Sequence, residues 1–405
     1  MLCIKTGGPA AQDRGEYLEL SLPPLQEMTR FHYVWLRDHC MCDDCFVKDT
    51  EQRKLDTALI PADIAPSEVA VSSKDSSLTI VWKEPNEHRT VLSFDFLLKN
   101  RYSIDTPEII NPSYRRPKKT LWSGPELQKV PVSVQFNDLV DESSDKGRAD
   151  AFQALSMYGV VFIDGTPPTP ESSEKVASRL VGFCRSTHYG HYWDFTPNLE
   201  HADTAYTTIR LELHTDTTYF SEPAGLQMLH LIENKKTKGG KSMLADGFYA
   251  AERLRRLHPD SWSFLSSKVL RFRYDDQANR MRTETRIIGH NPSDDSYEFI
   301  RWNSDDRAPL NCLSFEDVPK FYKAVRDWVS VLRSPEVTAM FQLQPGRCMI
   351  FDNWRVLHGR DSFEAAGGVR RMCGCYMQRD DVLSLTRVLC ADRPEMWRDA
   401  PAEQD

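Results

Sequence analysis

Beyond residue 205 the chain is a succession of short apolar runs: GLQMLHLI (225–232), SMLAD (242–246), YEFIRW (297–302), RCMIFDN (347–353) and RMCGCYM (371–377). Each is bounded by turn formers and is too short for a stable helix, so each reads as a strand. Two helical stretches interrupt them. One covers roughly 247–266. The other is SFEDVPKFYKAVRDWVSVLRS (314–334), with Val318, Phe321, Val325, Trp328, Val329 and Leu332 at helical spacing. Short strands with a few helices fit a jelly-roll-type barrel with helices packed outside. The Gly239-Gly240 pair reads as a hairpin turn.

Upstream, ADAFQALSMYG (149–159) reads as a helix running into a buried strand, VVFIDG (160–165). TPESSEKVASRLVGF (169–183) follows with a helix cap and helical spacing. Residues 104–125 are rich in proline and polar groups and read as a linker. The expected domains are therefore 1–110 and 111–405. Within the first, FHYVWL (31–36), LTIVW (78–82) and TVLSFDFLL (90–98) read as strands or short elements around a cysteine cluster.

Composition narrows the function. The 405 residues carry a net charge of −8 with no basic stripe, a poor match for nucleic acid or an anionic membrane. No window approaches the roughly 18 apolar residues of a membrane helix. The first residues lack the apolar region of a secretory signal, and Asp13, Glu16 and Glu19 suit a transit peptide poorly. Of ten cysteines, Cys40, Cys42 and Cys45 sit together, and so do Cys373 and Cys375. Without a secretory signal, clustered cysteines read as metal ligands or core thiols, and the compartment as reducing: mitochondrial matrix or cytoplasm. A small-molecule enzyme fits best.

LELHTDTTYF contains His214-Thr215-Asp216. On a strand, positions i and i+2 share a face, so one imidazole and one carboxylate can meet one metal. A distal ligand is available in IFDNWRVLHGRDSF, where His358 ends an apolar strand. Two histidines and one carboxylate form the facial triad of non-haem Fe(II) oxygenases, whose open positions admit a 2-oxo acid and dioxygen. HxD alone arises often by chance in a chain with 11 histidines; the bland alternative is a core or surface histidine beside an aspartate. The ensemble weighs more, because Arg370 follows on GVRRMCGCYM. A buried arginine fork can clamp the distal carboxylate of 2-oxoglutarate. Arg371 competes for that role, but alternation places Arg370, Met372, Gly374 and Tyr376 on one face. Three thiolates at Cys40, Cys42 and Cys45 lack one ligand for tetrahedral zinc; His39 is a nearby competitor, and three free thiols are the alternative.

The segments ADTAYT, HTDTTYF, EPAGLQ, DGFYAAE, FDNWRVLHGR and CGCY resemble the TauD-like 2-oxoglutarate oxygenases that act on trimethyllysine and γ-butyrobetaine, in the first and last oxidative steps of carnitine biosynthesis. The resemblance runs from about Trp35 to about Leu389, and HTDTTYF favours the trimethyllysine branch. It implies an α+β, mainly β chain: a double-stranded β-helix catalytic domain with flanking helices, and a small zinc-binding N-terminal domain. It implies iron at His214, Asp216 and His358, 2-oxoglutarate on Arg370 with Ser242 as a second ligand, and ascorbate and a homodimer as in relatives. It implies a trimethylammonium cage of Tyr189, Trp193, Tyr206 and Tyr376, held by cation–π attraction. Asp203 then reads the α-ammonium of trimethyllysine and Asn303 its carboxylate; a turn-capping role is the plainer reading of Asp203. His88 completes the zinc set. The expected reaction is 3-hydroxylation of Nε-trimethyl-L-lysine, with O₂ consumed and 2-oxoglutarate converted to succinate and CO₂. The rivals are γ-butyrobetaine hydroxylation and a zinc-stabilised binding module without turnover.

Overall fold

The computed structural model describes residues 9–23, 28–84, 86–101, 116–130, 132–195, 208–235, 237–292, 294–364 and 368–397. The described residues fall in two compact units, one ending at Arg116 and the other spanning Pro117–Trp397. The expected boundary at 110/111 lies outside the described residues.

The first unit holds two three-stranded antiparallel sheets, Ala10–Asp13, Tyr17–Ser21, Met28–His32 and Pro66–Ser72, Ser77–Trp82, Arg89–Ser93. Strict alternation in SLTIVW buries Leu78, Ile80 and Trp82. FHYVWL is only partly strand: the chain turns helical at Tyr33–Asp38, and Leu36 then reaches the same core as Phe31. TVLSFDFLL likewise breaks at Ser93, whose side chain caps the helix Phe94–Lys99 through the Phe96 N–H.

The second unit is built on two sheets. The larger has the order Trp193–Phe195, Val369–Met377, Leu226–Lys235, Arg347–Asp352, Val160–Asp164, Ser133–Gln135; the smaller has Leu211–His214, Val356–Arg360, Ser242–Asp246, Ala339–Phe341. This is the jelly-roll expected from the short runs. Gly239 and Gly240 both have positive φ, 87° and 67°, but they close no hairpin. They carry the chain from Leu226–Lys235 in one sheet to Ser242–Asp246 in the other. The helix expected over 247–266 is two helices, Gly247–Leu257 and Pro259–Ser267. Pro259 disfavours helical backbone at the residue before it, and His258 sits at φ −141°, ψ 67°. Both pack with Asp317–Leu332, through buried Leu254, Phe264, Phe321 and Trp328. Trp122, read as part of a linker, is instead buried in the core and donates from its indole to Tyr158 O at 2.7 Å.

Candidate active site

His214 and His358 are direct partners across the antiparallel pair Leu211–His214 and Val356–Arg360. Their ring centroids are 4.3 Å apart. Asp216 Oδ1 lies 3.2 Å from His214 Nε2 and 3.6 Å from His358 Nε2. One donor atom from each residue falls within 4.8 Å of the others. Two imidazoles and a carboxylate at this spacing fit the donor set of a facial Fe(II) site.

Asp216 does not get there by strand alternation, because the strand ends at His214. It sits in a turn that tertiary contacts hold. Asn353 accepts from the Asp216 N–H at 2.8 Å and donates back to the Asp216 carbonyl at 3.0 Å and to Ala224 O at 3.1 Å. The three threonines of HTDTT each anchor a different neighbour. Thr215 Oγ1 accepts from the Trp302 N–H at 3.0 Å, Thr217 Oγ1 from the Ala224 N–H at 2.9 Å, and Thr218 donates to Asp306 at 2.6 Å. Thr217 is held at φ 54°, a costly left-handed conformation for a β-branched residue. His214 Nδ1 meets Glu212 O at 2.7 Å, which aims Nε2 at Asp216. Burial opposes charge on His214, but the Asp216 carboxylate overcomes this and raises it to about 9. Burial pushes His358 down to about 3. Burial would raise Asp216 as well, but the two imidazoles hold it well below the usual carboxylate range.

A cavity of about 1040 Å³ opens over this triad. Deep in it lie Arg370 and Arg360, both 6% exposed. Burial lowers each guanidinium to about 10, and Arg360 adds to the effect on Arg370. Both lean on the Phe363 ring, at 4.8 Å for Arg360 and 5.6 Å for Arg370. No carboxylate of the described residues forms an ion pair with Arg370. Arg371 faces the other way and pairs with Asp194 through Nε at 2.8 Å, as alternation requires. Ser242 is buried opposite Arg360 in the sheet and also lines the cavity. Arg360 was not singled out from the sequence. Its signal was available, since it stands two residues after His358 on the same strand and so on the same face.

Aromatic rings form another wall of the cavity. Trp193 meets Tyr376 edge-on, with centroids 5.4 Å apart. It reaches that position because Gly374 is its sheet partner: a Cβ there would fall 1.8 Å from Trp193 Cζ3. Tyr376 also donates its hydroxyl to Asp216 Oδ2 at 2.7 Å, so it touches the triad as well as the wall. Tyr189 Oη lies 3.4 Å from Tyr219 Oη, and Tyr219 stacks on Tyr274 at 5.1 Å. Tyr219, Tyr274 and Trp302 line the cavity too; in the sequence they are indistinguishable from core aromatics. Asn303 lines it and accepts from the Asp305 N–H at 2.9 Å. Asp203 and Tyr206 lie outside the described residues.

Residues 120–376 match the family model described as taurine catabolism dioxygenase TauD, TfdA family. The chain belongs to the TauD, TfdA dioxygenase family. Residues 12–98 match a second model, the N-terminal part of γ-butyrobetaine hydroxylase-like proteins. The chain is 38% identical over 375 residues to the rat protein "Trimethyllysine dioxygenase, mitochondrial", covering 91% of this chain and 85% of that one. It is 36% identical to the human protein of that name, covering 94% and 87%. Human γ-butyrobetaine dioxygenase is 31% identical, covering 90% and 92%. As a member of this family the chain is an Fe(II)- and 2-oxoglutarate-dependent dioxygenase, which accounts for a triad and buried arginines in one cavity.

A second cluster belongs to the N-terminal unit of this dioxygenase. The Sγ atoms of Cys40, Cys42 and Cys45 lie 3.3, 3.7 and 3.5 Å from His88 Nε2. All four donor atoms are within 4.8 Å of one another. Arg37 donates to Cys45 Sγ at 3.4 Å while its Nε pairs with Glu84 at 3.0 Å. Burial pushes the Cys45 thiol up to about 11, and the Arg37 cation works against that rise. His39 is turned away: its ring stacks on Trp35 at 4.1 Å, and Nδ1 meets Trp35 O at 2.8 Å. Cys373 and Cys375, by contrast, are fully buried in the sheet and read as packing.

Proposed function

We propose that the chain hydroxylates C3 of Nε-trimethyl-L-lysine while 2-oxoglutarate is oxidised to succinate and CO₂, the first step of carnitine biosynthesis. The observation that carries this reading is one cavity combining a two-histidine, one-carboxylate triad, buried arginines and an aromatic wall. The two trimethyllysine dioxygenases named above, at 38% and 36% identity against 31% for γ-butyrobetaine dioxygenase, support the same substrate. His214, Asp216 and His358 hold the metal. Arg370 receives the distal carboxylate of 2-oxoglutarate, assisted by Ser242. Tyr189, Trp193 and Tyr376 hold the trimethylammonium group, which cannot donate hydrogen bonds and is best bound by aromatic faces. Tyr206 is expected to join them. Asn303 and Asp203 read the amino-acid end. Bound iron supplies the activation of dioxygen. The chain's own residues pin both ends of a flexible substrate so that one C–H bond faces the reactive position.

The test is product mass after incubation with Fe(II), 2-oxoglutarate and ascorbate, offering trimethyllysine and γ-butyrobetaine in parallel. One added oxygen on trimethyllysine with stoichiometric succinate is expected. Oxygen added only to γ-butyrobetaine would keep the chemistry and overturn the substrate. No succinate from either, with iron bound, would favour a binding module without turnover.

Ascorbate serves to keep the iron ferrous. The working form is a homodimer, and a monomeric mass in sedimentation would remove that part. The names of the rat and human trimethyllysine dioxygenases place those two proteins in mitochondria; for this chain we propose the mitochondrial matrix or the cytoplasm.

Cys40, Cys42, Cys45 and His88 bind a structural zinc ion with no open position. Structural zinc contributes on the order of 10 kcal/mol to folding at neutral pH. Metal analysis of the purified protein is expected to return one zinc per chain in addition to iron. Replacement of Cys45 by serine should lose that zinc and expose the N-terminal unit to limited proteolysis. A protein that retains zinc after this change would sink the assignment.

A further inference from the structure

We propose that Tyr376 is a positioning residue for the metal site as well as part of the aromatic wall: its hydroxyl holds Asp216 by Oδ2, so that Oδ1 alone is presented to the metal; this rests on the assignment of His214, Asp216 and His358 as metal ligands above. A carboxylate on a turn can rotate about its side-chain torsions and can offer a metal either oxygen or both. A ligating carboxylate that is itself hydrogen-bonded loses that freedom before the metal arrives.

The two oxygens of Asp216 have different surroundings. Oδ1 lies 3.2 Å from His214 Nε2 and 3.6 Å from His358 Nε2, on the side where the three donor atoms converge. Oδ2 accepts from the Tyr376 hydroxyl at 2.7 Å, within the range of a charge-assisted bond. Tyr376 can hold its end because its backbone is fixed in the sheet. It is the register partner of Gln227, and its carbonyl accepts from the Arg185 N–H at 2.8 Å. The next carbonyl, that of Met377, accepts from the Gly225 N–H at 2.9 Å. The Tyr376 ring is buried, borders the cavity and meets Trp193 edge-on. Asn353 already clamps the Asp216 backbone. Tyr376 fixes what that clamp leaves free, the rotation of the carboxylate. One side chain thus gives its ring to the wall and its hydroxyl to a metal ligand.

The test is the affinity for Mn(II), read from the electron paramagnetic resonance signal of the free ion, with 2-oxoglutarate and substrate both left out. Mn(II) favours oxygen donors over thiolates, so the cluster of Cys40, Cys42 and Cys45 is a weak competitor for it. Tyr376→Phe removes one oxygen at the edge of a cavity and keeps the ring. Its dissociation constant for Mn(II) is expected to rise roughly 10–100-fold. The affinity of the Mn(II)-saturated variant for trimethyllysine should change much less than that. Trp193→Phe disturbs the same wall and keeps the hydroxyl, so its Mn(II) affinity is expected to match that of the native protein. Thermal melts restrict the comparison to folded protein. Unchanged or tighter Mn(II) binding by Tyr376→Phe overturns the proposal. An equal loss in both variants also overturns it, because the effect would then come from the packing of the wall. Mn(II) binding that survives His358→Ala would instead bring down the ligand assignment itself, and this inference with it.

Discussion

Replacing Arg370 with methionine is expected to raise the 2-oxoglutarate concentration needed for half-maximal turnover by roughly two to three orders of magnitude. The guanidinium is 6% exposed, lies beside a second buried guanidinium, and has no ion-pairing carboxylate among the described residues. A dicarboxylate arriving there completes a charge-assisted, bidentate pair in a desolvated site. Removing one partner of such a pair costs about 3–4 kcal/mol of binding, much of it from leaving the other charge buried and unmatched. The sign on the ligand-free protein is opposite. An unmatched buried cation is a burden on folding, so Arg370→Met should leave the thermal midpoint unchanged or raise it. The check is an anaerobic titration with 2-oxoglutarate alongside thermal melts with and without it. A variant that binds 2-oxoglutarate normally would move the anchor to Arg360.

Asp246→Asn is expected to lower the stability of the catalytic unit by about 3–5 kcal/mol, with a thermal midpoint roughly 10 °C lower. Asp246 and Arg355 form an ion pair in which both side chains are 0% exposed. The guanidinium is bidentate on the carboxylate, at 3.0 and 2.8 Å, and its other contacts go to Met157 O at 2.8 Å and Thr120 O at 2.6 Å. The carboxylate also caps the helix Gly247–Leu257 through the Phe248 N–H and accepts from the Trp122 N–H. One carboxylate thus ties a helix start, the segment before the barrel and the turn leading into the His358 strand. Asparagine offers a single acceptor oxygen and no charge, which strands the arginine in a dry interior. Differential scanning calorimetry decides this; a shift below about 2 °C would mean that the site relaxes or admits water.

Much of this was legible in the sequence, for a local reason. Strand runs such as VVFIDG and RCMIFDN declare themselves by length and composition, and period-2 alternation separates inward Arg370 from outward Arg371. HxD with a distal strand-end histidine identified the residues that the fold brings together, and three cysteines within six positions marked the second cluster. The internal geometry of FDNWRVLHGR was not legible, because its side chains act on residues far away in the chain. Asn353 holds the backbone of Asp216, Arg355 pairs with Asp246, and Arg360 stands beside Arg370. The Gly239-Gly240 crossover is hidden from the sequence for the same reason: which sheet an element joins is set by its partners. The break at His258 is local by contrast, since Pro259 disfavours helical backbone at the residue before it.

The sequence by itself determined which chemistry the chain can carry, since donor types, alternation and a family motif are properties of short segments. The tertiary structure alone decided how the site is assembled. It put His214 opposite His358 through strand register, carried Asp216 past the strand end on an Asn353 clamp, and used Gly374 to let Trp193 lie against Tyr376. Register and close approach are set by the packing of residues more than a hundred positions apart, and no local pattern records them.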